Sequence, residues 1–300
     1  MDISPASLTQ SIAGFQSQVL GSLFGSSPAG NGDLFSALLS QKTEPGKAES
    51  DITSLPNPSG NANALSPTGR NLALFDPESA YRMMSLINNR DALYKAQFSE
   101  MSDMKSCVAD MRNAGQCLGS IAISTPDGDI QAQLQGFTAQ YNSWVQRFNP
   151  DMQQGGLLAN TQAAQVSLYE LEQSVKNRFN GARDGMHGLS DLGISIDPDT
   201  RLATLDTDKL KAALSTDKQA AVHTVNDFSA NFALSAGLLN AGNNFILNQL
   251  DNLHRVIDYV ANNKDALTQE FGTGDPAKPT GKVAQALAAY NRTYALSAPA

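Results

Sequence analysis

Two cysteines, three histidines and one tryptophan in 300 residues leave little from which to build metal or thiol chemistry. Cys107 and Cys117 stand ten residues apart. On one helix that is ~15 Å along the axis, beyond the reach of a disulfide. The same spacing excludes a CxxC redox pair or a zinc cluster. None of His187, His223 and His254 falls in an HExxH pattern, and no serine sits in a GxSxG elbow. The glycines at 155–156 and 181–188 lack a lysine at P-loop spacing. Charge is also sparse: 17% of residues are charged, the net charge is −8, and the basic residues are scattered singly. That pattern offers neither a nucleic-acid footprint nor an attraction to anionic lipid. No apolar run approaches the length of a membrane span. The most apolar stretch, 232–250, is broken by Gly237, Asn240, Gly242, Asn243 and Asn244. The first 25 residues have neither a basic n-region nor a continuous h-region, so a cleaved secretory signal is not expected.

Aromatic residues make up only 7% of the chain. A thin core spread along long helices suits this composition better than a dense globule. Residues 1–70 differ in kind from the rest of the chain. The stretch 41–70 is rich in Pro, Gly, Ser and Asn with almost no large apolar residues, and disorder is expected there. Before it, Leu8, Ile12, Phe15, Val19 and Leu23 fall on one helical face. So short a helix is marginal alone in water, so the stripe either meets a partner or stays unordered.

From residue 71 a helical pattern takes over. Asp76 reads as an N-cap with Pro77 at the first helical position. Tyr81, Met84, Ile87, Tyr94, Phe98, Met101, Met104, Val108, Met111 and Leu118 then keep a three-and-four spacing, interrupted at Asp91. The methionines read as packing for a rod. A turn is expected at 123–130 with Asp127-Gly128 at its tip. A second helix carries Ile130, Leu134, Phe137, Tyr141, Val145 and Phe148 and stops at Asn149-Pro150. A third carries Val166, Leu168, Leu171, Val175 and Phe179 and ends at Gly181. Later, Phe245, Leu250, Leu253, Ile257, Val260 and Leu267 form one long stripe. After a loop at 272–281, Val283, Leu287, Tyr290 and Tyr294 form a terminal amphipathic helix.

One segment, 188–214, concentrates aspartates: Asp191, Asp197, Asp199, Asp206 and Asp208. As a calcium loop starting at Asp197 it fails, with Arg201 at position 5, Leu202 where glycine belongs and the short Asp208 at position 12. As a paired-acid hydrolase site it lacks two carboxylates opposed across a cleft. The pattern reads instead as a strand at Ile194 and Ile196, a turn at Pro198-Asp199, a strand from Arg201 to Leu205 and a helix capped by Asp206. Asp208 then lies in the helix's first turn, where a carboxylate complements the dipole. The fold expected is mainly α: an elongated helical bundle or coiled-coil rod over 71–300, with one small β-hairpin at 192–206. A mostly disordered region, 1–70, precedes it. No catalytic, cofactor or metal residue is expected.

The segment "LSDLGISIDPDTRLATLDTDKLKAAL" resembles the C-terminal signature of the flagellar filament-cap family, also called hook-associated protein 2. Leu192, Gly193, Ile194, Asp197, Leu205, Asp206, Lys209, Leu210, Ala213 and Leu214 carry the match. Upstream, Phe137, Tyr141, Asn142 and Val145 are similar to the family's Phe-Val-x-x-Tyr-Asn helix, and 155–175 resembles the element after it. More weakly, 74–93 resembles the start of its N-terminal helix. Two departures stand out. Family members carry a large β-rich region between those two helices, where this chain has only "GSIAISTPDG". The strand "RLATLD" spaces its leucines by three where the family uses two, so either a bulge or a leucine at the turn is expected.

The resemblance implies a secreted structural protein of the bacterial flagellum that serves cell motility. Such a subunit forms a homo-oligomer through paired terminal helices and assists flagellin polymerisation at the filament tip. The expected partners are the chain itself and flagellin or other hook-associated proteins, with no nucleic acid and no membrane insertion. The residues expected to mediate self-association or partner binding are Ile12, Phe15, Val19, Leu250, Leu253, Ile257, Val260, Val283, Leu287, Tyr290 and Tyr294. The alternative is a cytoplasmic helical binding module, such as a flagellar export chaperone or assembly regulator, docking through the Leu8-to-Leu23 stripe or the Met-rich helix.

Overall fold

The computed structural model describes residues 77–178 and 186–294, all within one compact unit. Its first helix, α1 (Pro77–Leu118), has 42 residues and a length of ~63 Å at 1.5 Å per residue. Pro77 does open it, a position where the missing N–H costs nothing; Asp76 lies outside the described residues. The expected stripe is buried at Met84, Phe98, Met101, Met104, Val108, Met111 and Leu118, while Tyr81 is exposed. Near its middle α1 is buried on more than one face, taking in Ser99 and Glu100, because other elements close around it there.

Helix α2 (Asp127–Met152) begins earlier and ends later than its pattern suggests. Asp127-Gly128 is the first helical turn rather than a turn tip. The chain reverses at 122–125 instead, where Thr125 N donates to Ala122 O and Ala122 N to Thr125 Oγ1. Asp127 and Asp129 then sit at the positive end of the helix dipole. Pro150 does not stop the helix, since in the last turn its missing N–H forfeits only one bond. Helix α3 (Gln162–Lys176) buries Leu168, Leu171 and Val175 and ends before Phe179, which is outside the described residues.

Strands β1 (Ile194–Ile196) and β2 (Ala203–Leu205) pair antiparallel, Ile194 opposite Leu205 and Ile196 opposite Ala203. Of the two outcomes left open for the leucine spacing, the second holds: Leu202 stands at the turn and Ala203 takes the buried place. Arg201, expected in the strand, lies in the turn at φ +61°. Helix α4 (Thr207–Leu239) is broken at Asp217, whose backbone is extended (φ −153°, ψ 90°) and whose carboxylate accepts from Ala220 N. Asp217 thus caps the second half as Asp206 caps the first. The expected stripe from Phe245 to Leu267 is likewise two helices, α5 (Phe245–Asn262) and α6 (Lys264–Phe271), parted at Asn263. Phe245 itself is exposed and Ile246 is buried in its stead. Helix α7 (Gly281–Tyr294) ends the described chain.

One large cluster joins the C-terminal half of α1 to α2, α3, the hairpin, α4 and α5. At its centre Phe137 meets Phe228 and Phe232 edge-on, with centroids 5.2 and 5.0 Å away. Two small clusters serve the N-terminal half of α1: Ala80 and Met84 against Leu267 and Phe271, and Ala96 against Leu157 and Ala286. Among the described residues no helix is long and apolar enough to cross a membrane.

Candidate functional site

The hairpin is fixed to the helices by residues that carry the sequence signature. In the antiparallel ladder, Asp197 N donates to Leu202 O and Asp206 N to Gly193 O. Ala203 therefore lies at a position whose own N–H and C=O point away from β1. Asn142 on α2 takes both: its Nδ2 donates to Ala203 O (2.8 Å) and its Oδ1 accepts from Ala203 N (2.7 Å). A strand edge that would otherwise be open is closed by one amide. Gly193 sits at φ +90°, and a Cβ there would lie 2.5 Å from Asp206 O. Only glycine fits where the chain enters the hairpin so close to its exit. Ile194 is buried under the ladder, while Ser195 and Thr204 face outward, their hydroxyls 3.1 Å apart.

Each aspartate of the segment has a backbone partner or an exposed place. Asp197 accepts from Asp199 N, Thr200 N and Thr200 Oγ1. The Thr200 bonds, backbone first, hold its carboxyl below the ordinary aspartate value. Asp206 accepts from Asp208 N and Lys209 N as the N-cap of α4, and Asp191 accepts from His187 N. Asp208 is exposed near Lys211. Among the described residues no group of three or more His, Cys, Asp or Glu side chains is placed to hold a metal ion.

The residues expected to mediate self-association fall in three places. Ile12, Phe15 and Val19 lie outside the described residues. Leu250, Leu253 and Ile257 on α5 are buried in the large cluster of the same chain, with Val260 half-buried beside them. Val283 and Leu287 on α7 pack on Ala96, Leu157 and Ala286. Tyr290 and Tyr294 stack at 4.8 Å and meet Phe98 edge-on at 5.9 and 5.2 Å. Phe98 thus gathers α1 and α7, and His254 of α5 approaches it at 6.0 Å.

Sequence reasoning missed two polar groupings around α7. A strap at 272–280 crosses the N-terminal half of α1. Asn88 Nδ2 donates to Thr273 O and Asp275 O, Tyr81 OH to Asp275 Oδ1, and Asp275 N to Ser85 Oγ. The second grouping is ionic. Arg147 of α2 forms a forked pair with Glu100 of α1 and reaches Asp151 at 3.3 Å, while Lys282 of α7 meets Asp151 at 2.7 Å. Burial, more than the carboxylates around it, raises the Glu100 pKa above its ordinary value against the lowering effect of Arg147. The signals available were Arg147 and Asp151 at i, i+4 and an acid inside the apolar stripe of α1; the partner 131 residues away left none.

Fold and junction together define a helical scaffold whose hairpin is locked by an asparagine clamp and an aspartate cap. The family described as "Flagellar hook-associated protein 2 C-terminus" matches residues 114–273, just over half of the chain. The chain belongs to that family. It is also similar to a crystal structure of the D1-D2-D3 domains of the flagellar cap protein FliD from Escherichia coli, at 21% identity and a TM-score of 0.38. That similarity takes in 43% of this chain and 37% of the other, little more than a third of its length. No curated protein matches the chain.

Proposed function

We propose that the chain is a structural subunit of the bacterial flagellum that acts as a cap-type assembly factor for the filament. The observation that supports this most directly is the family match over 114–273, which contains the clamp, the hairpin and the Asp206 cap. These residues build a rigid joint, and a rigid joint suits a subunit that must present helices in a fixed orientation to neighbours. Self-association then uses the half-buried residues Val260 of α5 and Val283, Leu287, Tyr290 and Tyr294 of α7, with α1 on which α7 rests. Residues 1–70, with Ile12, Phe15 and Val19, serve as a separate contact segment for flagellin or another hook-associated protein. The place of action is the flagellum, reached by export.

The test is fractionation of cells with the flagellar apparatus intact and deleted, together with filament length in a strain lacking the gene. The expected result is recovery of the chain with purified flagella and loss or shortening of filaments on deletion. Strict retention in the cytoplasm, with full-length filaments in the deletion strain, overturns the reading.

A further inference from the structure

Helix α4 turns Phe232, Ala236 and Leu239 into the core, and the helical period places Leu234 and Leu238 on the opposite side. There they are 63% and 53% exposed, and Phe245 follows at 41% just past the turn, where Asn244 Nδ2 donates to Leu238 O. A solvent-facing helix surface ordinarily carries charged residues. Here no side chain from Phe228 to Leu250 is charged, and Asp227 and Asp251 close the two ends. Single exposed leucines are ordinary, but consecutive ones on a charge-free strip have the composition of the centre of an interface. The two edges of the strip differ. On the side of α1, a Cβ on Gly237 would lie 3.4 Å from Arg112 Nε, so the bare backbone there lets the guanidinium lie against α4 beside the leucines. Lys105 stands two turns earlier on the same face of α1, and Asn240 Nδ2 donates to its carbonyl at 2.8 Å. Asp103 and Asp110, two positions away from these cations, lie on the other side of α1. Neither Arg112 nor Lys105 forms an ion pair among the described residues. The far edge of the strip carries Asn231 and Ser235, which are uncharged.

Size and charge together select what covers the strip. It runs about three turns along α4, ~16 Å from Ala230 to Ala241. Three exposed large side chains on that length fall short of the ~800 Å² per partner that a stable dimer face takes. A two-fold pairing centred on the leucines would also set Arg112 against its own copy. One helix laid along the strip covers it without either difficulty. We infer that Leu234, Leu238 and Phe245 form a docking ridge for a single amphipathic helix of a partner protein, with the partner's apolar stripe on the ridge and an acidic edge against Arg112 and Lys105. The apolar side chains then supply most of the affinity, because they lose the most water-exposed area. The cations, present on one edge alone, fix the direction in which the partner helix lies. The ridge shares no residue with the α5 and α7 surface proposed for self-association.

Fluorescence anisotropy of two labelled synthetic helical peptides, titrated with the full chain, tests the ridge. Each peptide has about 16 residues with leucine at i, i+4, i+7 and i+11; one carries glutamates along one edge of that stripe and the other lysines. The glutamate peptide should bind, and the lysine peptide about tenfold more weakly, with the gap closing as salt rises. Leu234→Gln combined with Leu238→Gln should weaken the glutamate peptide about tenfold or more. The urea midpoint should stay unchanged, since both side chains are exposed. Arg112→Glu should erase the preference between the peptides. Equal binding of the two peptides, binding of neither, or binding that survives the double substitution overturns the inference. Sedimentation tests the other occupant: a wild-type dimer that the same double substitution dissociates means that a second copy covers the ridge, and overturns it as well.

Discussion

The hairpin junction and the α6–strap–α7 arm are both places where distant segments meet, yet they are built in different ways. At the junction every contact is short, buried or backbone-directed: Asn142 holds both backbone groups of Ala203, Gly193 admits no side chain, and Asp206 closes the next helix. In the arm the apolar contacts are two small clusters, Ala80, Met84, Leu267 and Phe271 and then Ala96, Leu157 and Ala286, with the rings of Tyr290 and Tyr294 on Phe98, and exposed hydrogen bonds add to them along the strap. Exposed polar contacts contribute little each, whereas a buried backbone group left unpaired costs its full desolvation. The junction should therefore melt with the whole fold, and the arm should open ahead of it.

The largest effect expected is at Ile194, 3% exposed beneath the ladder. Ile194→Asp places an unpaired charge there and should cost ~4 kcal/mol or more, seen as a collapse of the urea midpoint for the whole chain. If only the hairpin loosened while α4 and α2 kept their stability, junction and core would be separate units and the contrast would fail. Next comes Asn142→Leu, which strands Ala203 N–H and C=O at once. A loss of ~2–3 kcal/mol is expected in global stability. In the arm, Leu267→Ala should cost ~2 kcal/mol, since the exposed side of a small cluster can relax. Hydrogen exchange should show that loss across 264–280 with the hairpin unchanged; a matching loss at Ile194 to Leu205 would make arm and junction one cooperative unit.

Legibility in the sequence divides along the same line. Ile194, the turn, Asp206 and the signature helix were readable because each depends on neighbours within a few residues, where spacing and side-chain type decide the outcome. The family resemblance rested on those positions and holds. The breaks at Asp217 and Asn263 carried local signals too, an aspartate and an asparagine able to cap, but unbroken apolar periodicity on both sides masked them. Pro150 misled because a proline's cost depends on how near the helix end it falls. Arm contacts were beyond reach. Asn88 with Asp275 and Asp151 with Lys282 join positions 187 and 131 residues apart, and no periodicity encodes which faces meet. The self-association set illustrates the gap: Leu250, Leu253 and Ile257 were readable as an apolar face, but not that α1 of the same chain covers it.

Asp206→Ala sharpens the contrast at smaller scale. It should cost ~1 kcal/mol through the lost cap bonds to Asp208 N and Lys209 N and leave the proposed self-association untouched. Loss of assembly without loss of stability would instead make Asp206 a functional acid.

The smallest effect is the titration of Asp197, fully exposed in the turn. Its carboxyl is held below the ordinary value of 3.8 by the Thr200 bonds, so the folded state favours the ionised form more than the unfolded chain does. The contribution is thus complete above about pH 4 and is lost as pH falls through the lower, folded value. A carboxyl carbon NMR titration should place Asp197 below the ordinary aspartate value, and Thr200→Val should move it part of the way back by removing the hydroxyl donor alone. An Asp197 carboxyl titrating at the ordinary value would mean that the Thr200 bonds do not form in solution, and the turn would then lose the backbone-directed contacts that set the junction apart from the arm.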